Sequence, residues 1–185
     1  MTEAERLLGS WMQTNSGKRF YPESPRAEDI DPADIAHALS LMCRYGGHID
    51  RFYSVAEHCI LVAEGVSQEN ALYALLHDAT EAYVVDIPRP VKRLLASYNK
   101  LENRVWLTIC ERFSLDPKIP QEVIEADTRI LLTERASLFK NAEIGEWSMD
   151  GLEPLPVEIV GYRAGSELLQ QMYLGKLYEL LMAHV

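Results

Sequence analysis

Apolar residues recur along the chain at helical spacing, and no stretch alternates in the way a half-buried strand would. Leu7, Leu8, Trp11 and Met12 predict a short amphipathic turn or two. Asp31-Pro32-Ala33-Asp34 predicts a helix start, with Asp31 as N-cap, Pro32 in the first turn and Asp34 near the positive end. That helix is expected to carry Ile35, Leu39 and Met42 and to break at Gly46-Gly47. A second helix is expected from Phe52 to Glu64, with Val55, Cys59, Val62 and Ala63 on its apolar side and Gly65 as its stop. Ser67 is placed to cap a third, whose apolar face is Leu72, Leu75 and Leu76. The two prolines of Asp86-Ile87-Pro88-Arg89-Pro90 predict a loop. Helical patterns resume over Val91–Ser97 and Lys100–Phe113, and Asp116-Pro117 with Pro120 marks a turn. A long helix follows from Glu122 to Phe139. Asn141 to Pro156 reads as irregular, and Tyr162 to Ala183 as a closing helix. No repeat or linker divides residues 1–185, so the expectation is one all-α, single-domain helical bundle.

The bulk numbers narrow the class. With 185 residues, 48% hydrophobic and 25% charged, the chain has the composition of an ordinary globular domain with a real core. The longest apolar runs, such as Ile60-Leu61-Val62-Ala63, fall far short of the roughly 20 residues of a membrane span. The acidic start Met1-Thr2-Glu3-Ala4-Glu5 is wrong for a secretory signal, so the expected location is the cytoplasm, with no membrane partner. Cys43, Cys59 and Cys110 form no CxxC pair and are expected to be free thiols. Net charge is −10, from 18 basic and 28 acidic residues. Such a surface repels nucleic-acid polymers, whose binding rests on phosphate neutralisation, but leaves room for a small phosphorylated ligand.

The chemistry-bearing residues are few. His77-Asp78 follows the apolar run Tyr73-Ala74-Leu75-Leu76, and Glu81 lies four residues after His77. On a continuous helix His77 and Glu81 would share a face, with Asp78 about 100° round. Imidazole and carboxylate together hold a divalent metal, and a nearby unligated carboxyl can shuttle a proton. A two-residue motif is common by chance, and an ordinary polar helix face explains it equally well. A charged pair directly after a buried run is better explained as lining a cavity. His58 on the preceding helix and Asp127 on a later one would complete four ligands from three helices. Taken singly, His58 reads as a core histidine and Asp127 as a solvated one. Competing motifs are absent: there is no HExxH, no Glu-x-x-His, no GxSxG elbow and no Gly-rich phosphate loop.

The order His58, His77-Asp78, Asp127 resembles the four-ligand signature of the HD superfamily of metal-dependent phosphohydrolases. The segments Asp34-Ile35-Ala36-His37-Ala38-Leu39, Cys43-Arg44-Tyr45-Gly46-Gly47-His48 and Phe52-Tyr53-Ser54-Val55-Ala56-Glu57-His58 are similar to one subgroup. So is His77-Asp78-Ala79-Thr80-Glu81-Ala82-Tyr83, running into Asp86-Ile87-Pro88-Arg89-Pro90-Val91-Lys92. That subgroup holds bacterial and prophage 5′-deoxynucleotidases and phage dATP triphosphohydrolases, and the likeness spans Thr14 to Glu134. It implies an HD-type helical bundle with a metal held by His58, His77, Asp78 and Asp127. It implies Glu81 as the catalytic acidic residue, Asp86 as an aspartate that helps orient or activate the attacking water, and Arg44 with Lys92 as phosphate contacts. Structural alternatives stay open for these last two, as a helix C-cap cation and a surface lysine. His and Asp ligands suit Mn, Co, Fe, Ni or Zn better than Ca.

The expected reaction is hydrolysis of the O5′–Pα bond of a 2′-deoxynucleotide, releasing the deoxynucleoside. A dNMP is placed ahead of a dNTP such as dATP. The longer phosphate would need further cations, for which Lys18, Arg19, Arg129 and Arg135 are the candidates. Ser16–Phe20 and Glu143–Glu153 are the segments expected to flank the pocket. The rival classes are a non-catalytic nucleotide-binding HD module and a phosphodiesterase. Retention of all four ligands and Glu81 speaks against the first, and the shortage of histidines against the second. Family members often form homo-oligomers, for which a dimer is the commonest form.

Overall fold

A short hairpin opens the described chain, where no strand was expected. In the computed structural model, which describes residues 9–140, 151–160 and 165–184, β1 (Met12–Gln13) pairs antiparallel with β2 (Arg19–Phe20). Two-residue strands are too short to show alternation, which is why the pattern gave no sign of them. Gly17 takes the turn with φ 84°, a value that favours glycine. The Ser16 N–H and hydroxyl both donate to Asp34, at 2.6 and 2.7 Å, and tie the hairpin to the first helix. Leu7 and Leu8 lie outside the described residues.

The first helix, α1 (Pro32–Leu41), starts where its cap chemistry predicts: Asp31 accepts from the Ala33 N–H at 2.9 Å, and Pro32 occupies the first turn. It ends before the expected break. Met42, Cys43 and Arg44 leave the helix to pair with 53–55, through Arg44 N–H to Tyr53 O and Val55 N–H to Met42 O. Arg44–Gly47 then forms a 3-10 turn, with positive φ at Tyr45, Gly46 and Gly47. We expect Asp31→Ala to cost about 1 kcal/mol through loss of this cap. Chemical denaturation measures it, and an unchanged midpoint would show that the cap is dispensable.

The centre of the bundle is α2 (Val55–Glu64), capped by Ser54, which accepts from the Glu57 N–H at 3.0 Å. It starts three residues later than the periodicity suggested, because Tyr53 and Ser54 are held extended in the pairing with 42–44. Every residue from Val55 to Ala63 is buried, since neighbours cover it all round. It stops at Gly65, where a Cβ would meet Leu155 at 2.7 Å. The third helix, α3 (Ala71–Leu76), buries Leu72, Leu75 and Leu76 as expected. Its cap position is Asn70, not Ser67, which instead donates to Glu122.

After α3 come two short helices, α4 (Glu81–Val84) and α5 (Arg89–Lys92). The second corrects the expectation that both prolines lie in a loop. Pro88 stands at the N-cap and Pro90 inside the first turn, where no N–H is required. The long helices are α6 (Ala96–Phe113), α7 (Gln121–Leu138) and α8 (Ser166–Ala183). Residues 161–164, where the closing helix was expected to begin, lie outside the described residues. α8 packs on α1, α2 and α3, and the buried Tyr173 hydroxyl donates to Leu75 O at 2.8 Å. The irregular 151–160 segment runs along α7, held by Arg129 and Thr133 donating to carbonyls of Glu153, Pro154 and Leu155. The result is a mostly helical bundle, and among the described residues no helix is long and apolar enough to cross a membrane.

Candidate metal centre

His58 sits on the central helix with none of its surface exposed. His77 lies at the C-terminal end of α3, and its Nδ1 reaches the Ala74 carbonyl at 2.6 Å. A continuing helix would give that carbonyl to the Asp78 N–H. The chain instead tightens into turns, with Ala79 N–H on Leu76 O and Glu81 N–H on Asp78 O. The expectation that His77 and Glu81 share one helical face is therefore corrected. They are brought to one place by the turn between α3 and α4.

A backbone carbonyl only accepts, so His77 carries a proton on Nδ1. His58 Nδ1 is held in the same way, donating to Glu134 Oε1 at 2.7 Å. Both Nε2 atoms are left facing each other, 3.3 Å apart. Asp127 Oδ1, on α7, lies 3.3 Å from His58 Nε2 and 3.8 Å from His77 Nε2. Asp78 Oδ2 lies 3.5 and 3.4 Å from the same two atoms. His58, His77 and Asp127 thus form a group that could hold a metal ion, each offering one atom within 4.8 Å of the others. The donor set fits a cation: two nitrogens locked in orientation through their far sides, facing carboxylate oxygens. Electrostatics agree. Burial alone would lower the His77 imidazole, but the charges of Asp78 and Asp127 outweigh it and hold it well above its ordinary value. Burial would raise those two carboxyls, and the imidazoles hold them below the usual carboxylate range instead.

The cluster opens onto a cavity of about 1070 Å³. His77, Asp78, Glu81, Asp86, Asp127, Arg44 and Lys92 all line it, and His58 lies behind its wall. Glu81 is 6% exposed and its Oε2 has no hydrogen-bond partner. Burial, reinforced by Asp78 and Asp86, holds its carboxyl well above the ordinary range. Burial raises Asp86 as well, against the pull of Arg44. Asp86 follows Val85, whose φ of 65° is rare for a β-branched residue; the Tyr98 hydroxyl donates to the Val85 carbonyl at 2.6 Å. Such strain is kept where a backbone must aim a side chain.

The cations are engaged. Arg44 is no helix cap: it turns inward, 8% exposed, with Nη1 3.3 Å from Asp78 and Nε 3.4 Å from Glu134. Lys92 meets Glu102 at 2.5 Å, and Arg89 donates to Asp127 Oδ2 at 2.8 Å.

No family model matches the chain. Over 129 residues it is 46% identical to the uncharacterized protein YfdR of Escherichia coli strain K12, covering 70% of this chain and 72% of that protein. The chain belongs to the YfdR family. It is also 35% identical over 127 residues to an uncharacterized protein of Rhodobacter capsulatus, covering 63% of this chain and 65% of that one.

In this YfdR-family chain the segment Ser16–Phe20 does not line the cavity: Lys18 pairs with Asp31, and Arg19 lies over Trp11. Residues 143–150 of the other expected flank lie outside the described residues. His48 lines the cavity, and His37 bonds Gln170 on α8. The residue that sequence reasoning missed is Glu134. Its signal was its spacing: seven residues after Asp127, two turns on along the same helical face.

Proposed function

We propose that this chain is a metal-dependent phosphohydrolase that cleaves the O5′–Pα bond of 2′-deoxynucleoside 5′-monophosphates. The observation that carries the reading is the pairing of two differently tuned groups at one end of a large cavity. A His-Asp cluster shaped for a cation stands beside a buried cavity carboxyl, Glu81, whose pKa burial raises well above its ordinary value. The cavity's volume, at the upper end of the roughly 300–1,000 Å³ typical of small-molecule sites, suits a nucleotide.

His58, His77, Asp78 and Asp127 would hold Mn, Co, Zn, Fe or Ni. When bound, the metal would supply Lewis acidity, making phosphorus more electrophilic and water more acidic. Glu81 would act as the acid that gives a proton to the departing O5′. Asp86, fixed by the turn at Val85, orients the attacking water. Arg44 offsets charge on the phosphate from the cavity wall, with Arg89, Lys92 and Arg93 at the same wall.

Charge balance supports a monophosphate. Lys18, Arg19, Arg129 and Arg135, the cations a longer phosphate would need, do not line the cavity among the described residues. Arg44, Arg89 and Lys92 already face carboxylates. A triphosphate carries roughly four negative charges and would find too few free partners. The cavity's volume keeps dATP triphosphohydrolysis as the second reading.

Metal-reconstituted protein incubated with dAMP is expected to yield deoxyadenosine and phosphate by chromatography. Deoxyadenosine plus intact triphosphate from dATP, with no turnover of dAMP, would reverse the order. Pyrophosphate plus dAMP from dATP would contradict both readings. Binding of dAMP and dATP without turnover of either would favour a nucleotide-binding module.

A further inference from the structure

Glu134 lies in the bundle interior with no exposed surface, on the far side of His58 from the cavity. Its two oxygens serve three groups. Oε1 accepts from His58 Nδ1 at 2.7 Å and faces Arg44 Nε at 3.4 Å. Oε2 faces Arg44 Nη2 at 3.5 Å and accepts from the Tyr45 hydroxyl. Tyr45 makes that bond from a left-handed backbone, φ 57°, and its ring meets Phe139 edge-on at 5.0 Å. Arg44, Tyr45 and Phe139 all line the cavity, so Glu134 ties its wall to the cluster behind it.

A carboxylate with no access to water is costly unless its charge is used. Balancing Arg44 is one use, but Arg44 contacts are long, at 3.3 to 3.5 Å, and shared with Asp78. Of its two nitrogen-bearing partners, His58 makes the shorter contact, at 2.7 Å, while the Tyr45 hydroxyl holds the other oxygen. An imidazole whose Nδ1–H is given to a carboxylate has its tautomer and ring angle fixed and its other nitrogen made more basic. The geometry points to Glu134 as a positioning residue for the metal. It holds His58 Nε2 towards His77 and Asp127 and strengthens it as a donor. This rests on the metal reading above and adds a determinant that touches neither metal nor substrate.

The test is binding of Co²⁺ alone to the full chain, followed by calorimetry and by the visible absorption spectrum of the bound ion. Wild type, Glu134→Gln and Glu134→Asp are compared, with circular dichroism as the fold control. Glutamine keeps the shape and an acceptor but loses the charge; aspartate keeps the charge but falls one methylene short of Nδ1. We expect the Co²⁺ Kd to rise about tenfold or more in both, with an altered spectrum. A folded variant that binds Co²⁺ with wild-type Kd and spectrum overturns the proposal, and leaves the metal reading standing. Should the glutamine variant not fold, the aspartate variant decides by the same criterion. Wild-type protein that takes up no Co²⁺ refutes the metal reading, and this proposal with it.

Discussion

Replacing Glu81 by glutamine is expected to lower kcat by about 100-fold or more while metal content stays at the wild-type level. The size of the effect follows from its setting. Glu81 is buried at the cavity wall near Asp78 and Asp86, and that neighbourhood raises its pKa and favours the neutral carboxyl. A neutral carboxyl and a carboxamide have the same shape and the same lack of charge. The substitution therefore leaves the ground state almost unchanged and removes only the proton that the leaving oxygen needs. KM is accordingly expected to move far less than kcat. Steady-state kinetics with dAMP, alongside metal analysis of the same preparation, separates the possibilities. Metal lost in proportion to activity would make Glu81 a ligand instead of an acid.

His77→Ala and Asp78→Ala are expected to abolish metal binding and reduce activity to background, the same outcome expected of chelation in the wild type. His77 Nε2 stands within 4 Å of His58 Nε2, Asp78 Oδ2 and Asp127 Oδ1, so removing the ring leaves a hole in the middle of the donor set. Removing Asp78 takes away one carboxylate and leaves Arg44 with Glu134 as its nearest counter-charge. Both positions lie in the turn between α3 and α4 and are not part of the hydrophobic core, to which Leu75, Leu76 and Tyr173 belong. Helical circular dichroism should therefore survive. Metal analysis and the dAMP assay are the measurements, and full activity in metal-free His77→Ala protein would refute a metal role.

Part of the site was legible because it was local. His77-Asp78 after a buried run, and Glu81 close behind, are neighbours in the chain. Their proximity survives even though the helix ends at Leu76, a bend that the periodicity does not encode. Glu134 was invisible as chemistry, because a glutamate late in a long helix reads as solvated until something packs over it. The cations show the same limit. Arg44 reads as a helix cap or a phosphate contact, and only the fold brings it to Asp78 and Glu134.

The sequence by itself determined where most helices lie. Burial at helical spacing, the Asp31 cap, the Gly65 stop and the Pro120 turn act within a few residues, and α7 falls within one residue of its expected bounds at each end. Tertiary structure decided the early exit from α1, because 42–44 find 53–55 only across a loop. It decided the hairpin, whose strands are too short to leave a pattern. It alone decided the cluster: α2, the turn after α3, and α7 each deliver one or two donors. Whether these meet within a few ångströms depends on how three helices pack, a relation between residues 19 to 69 positions apart that no local periodicity can record.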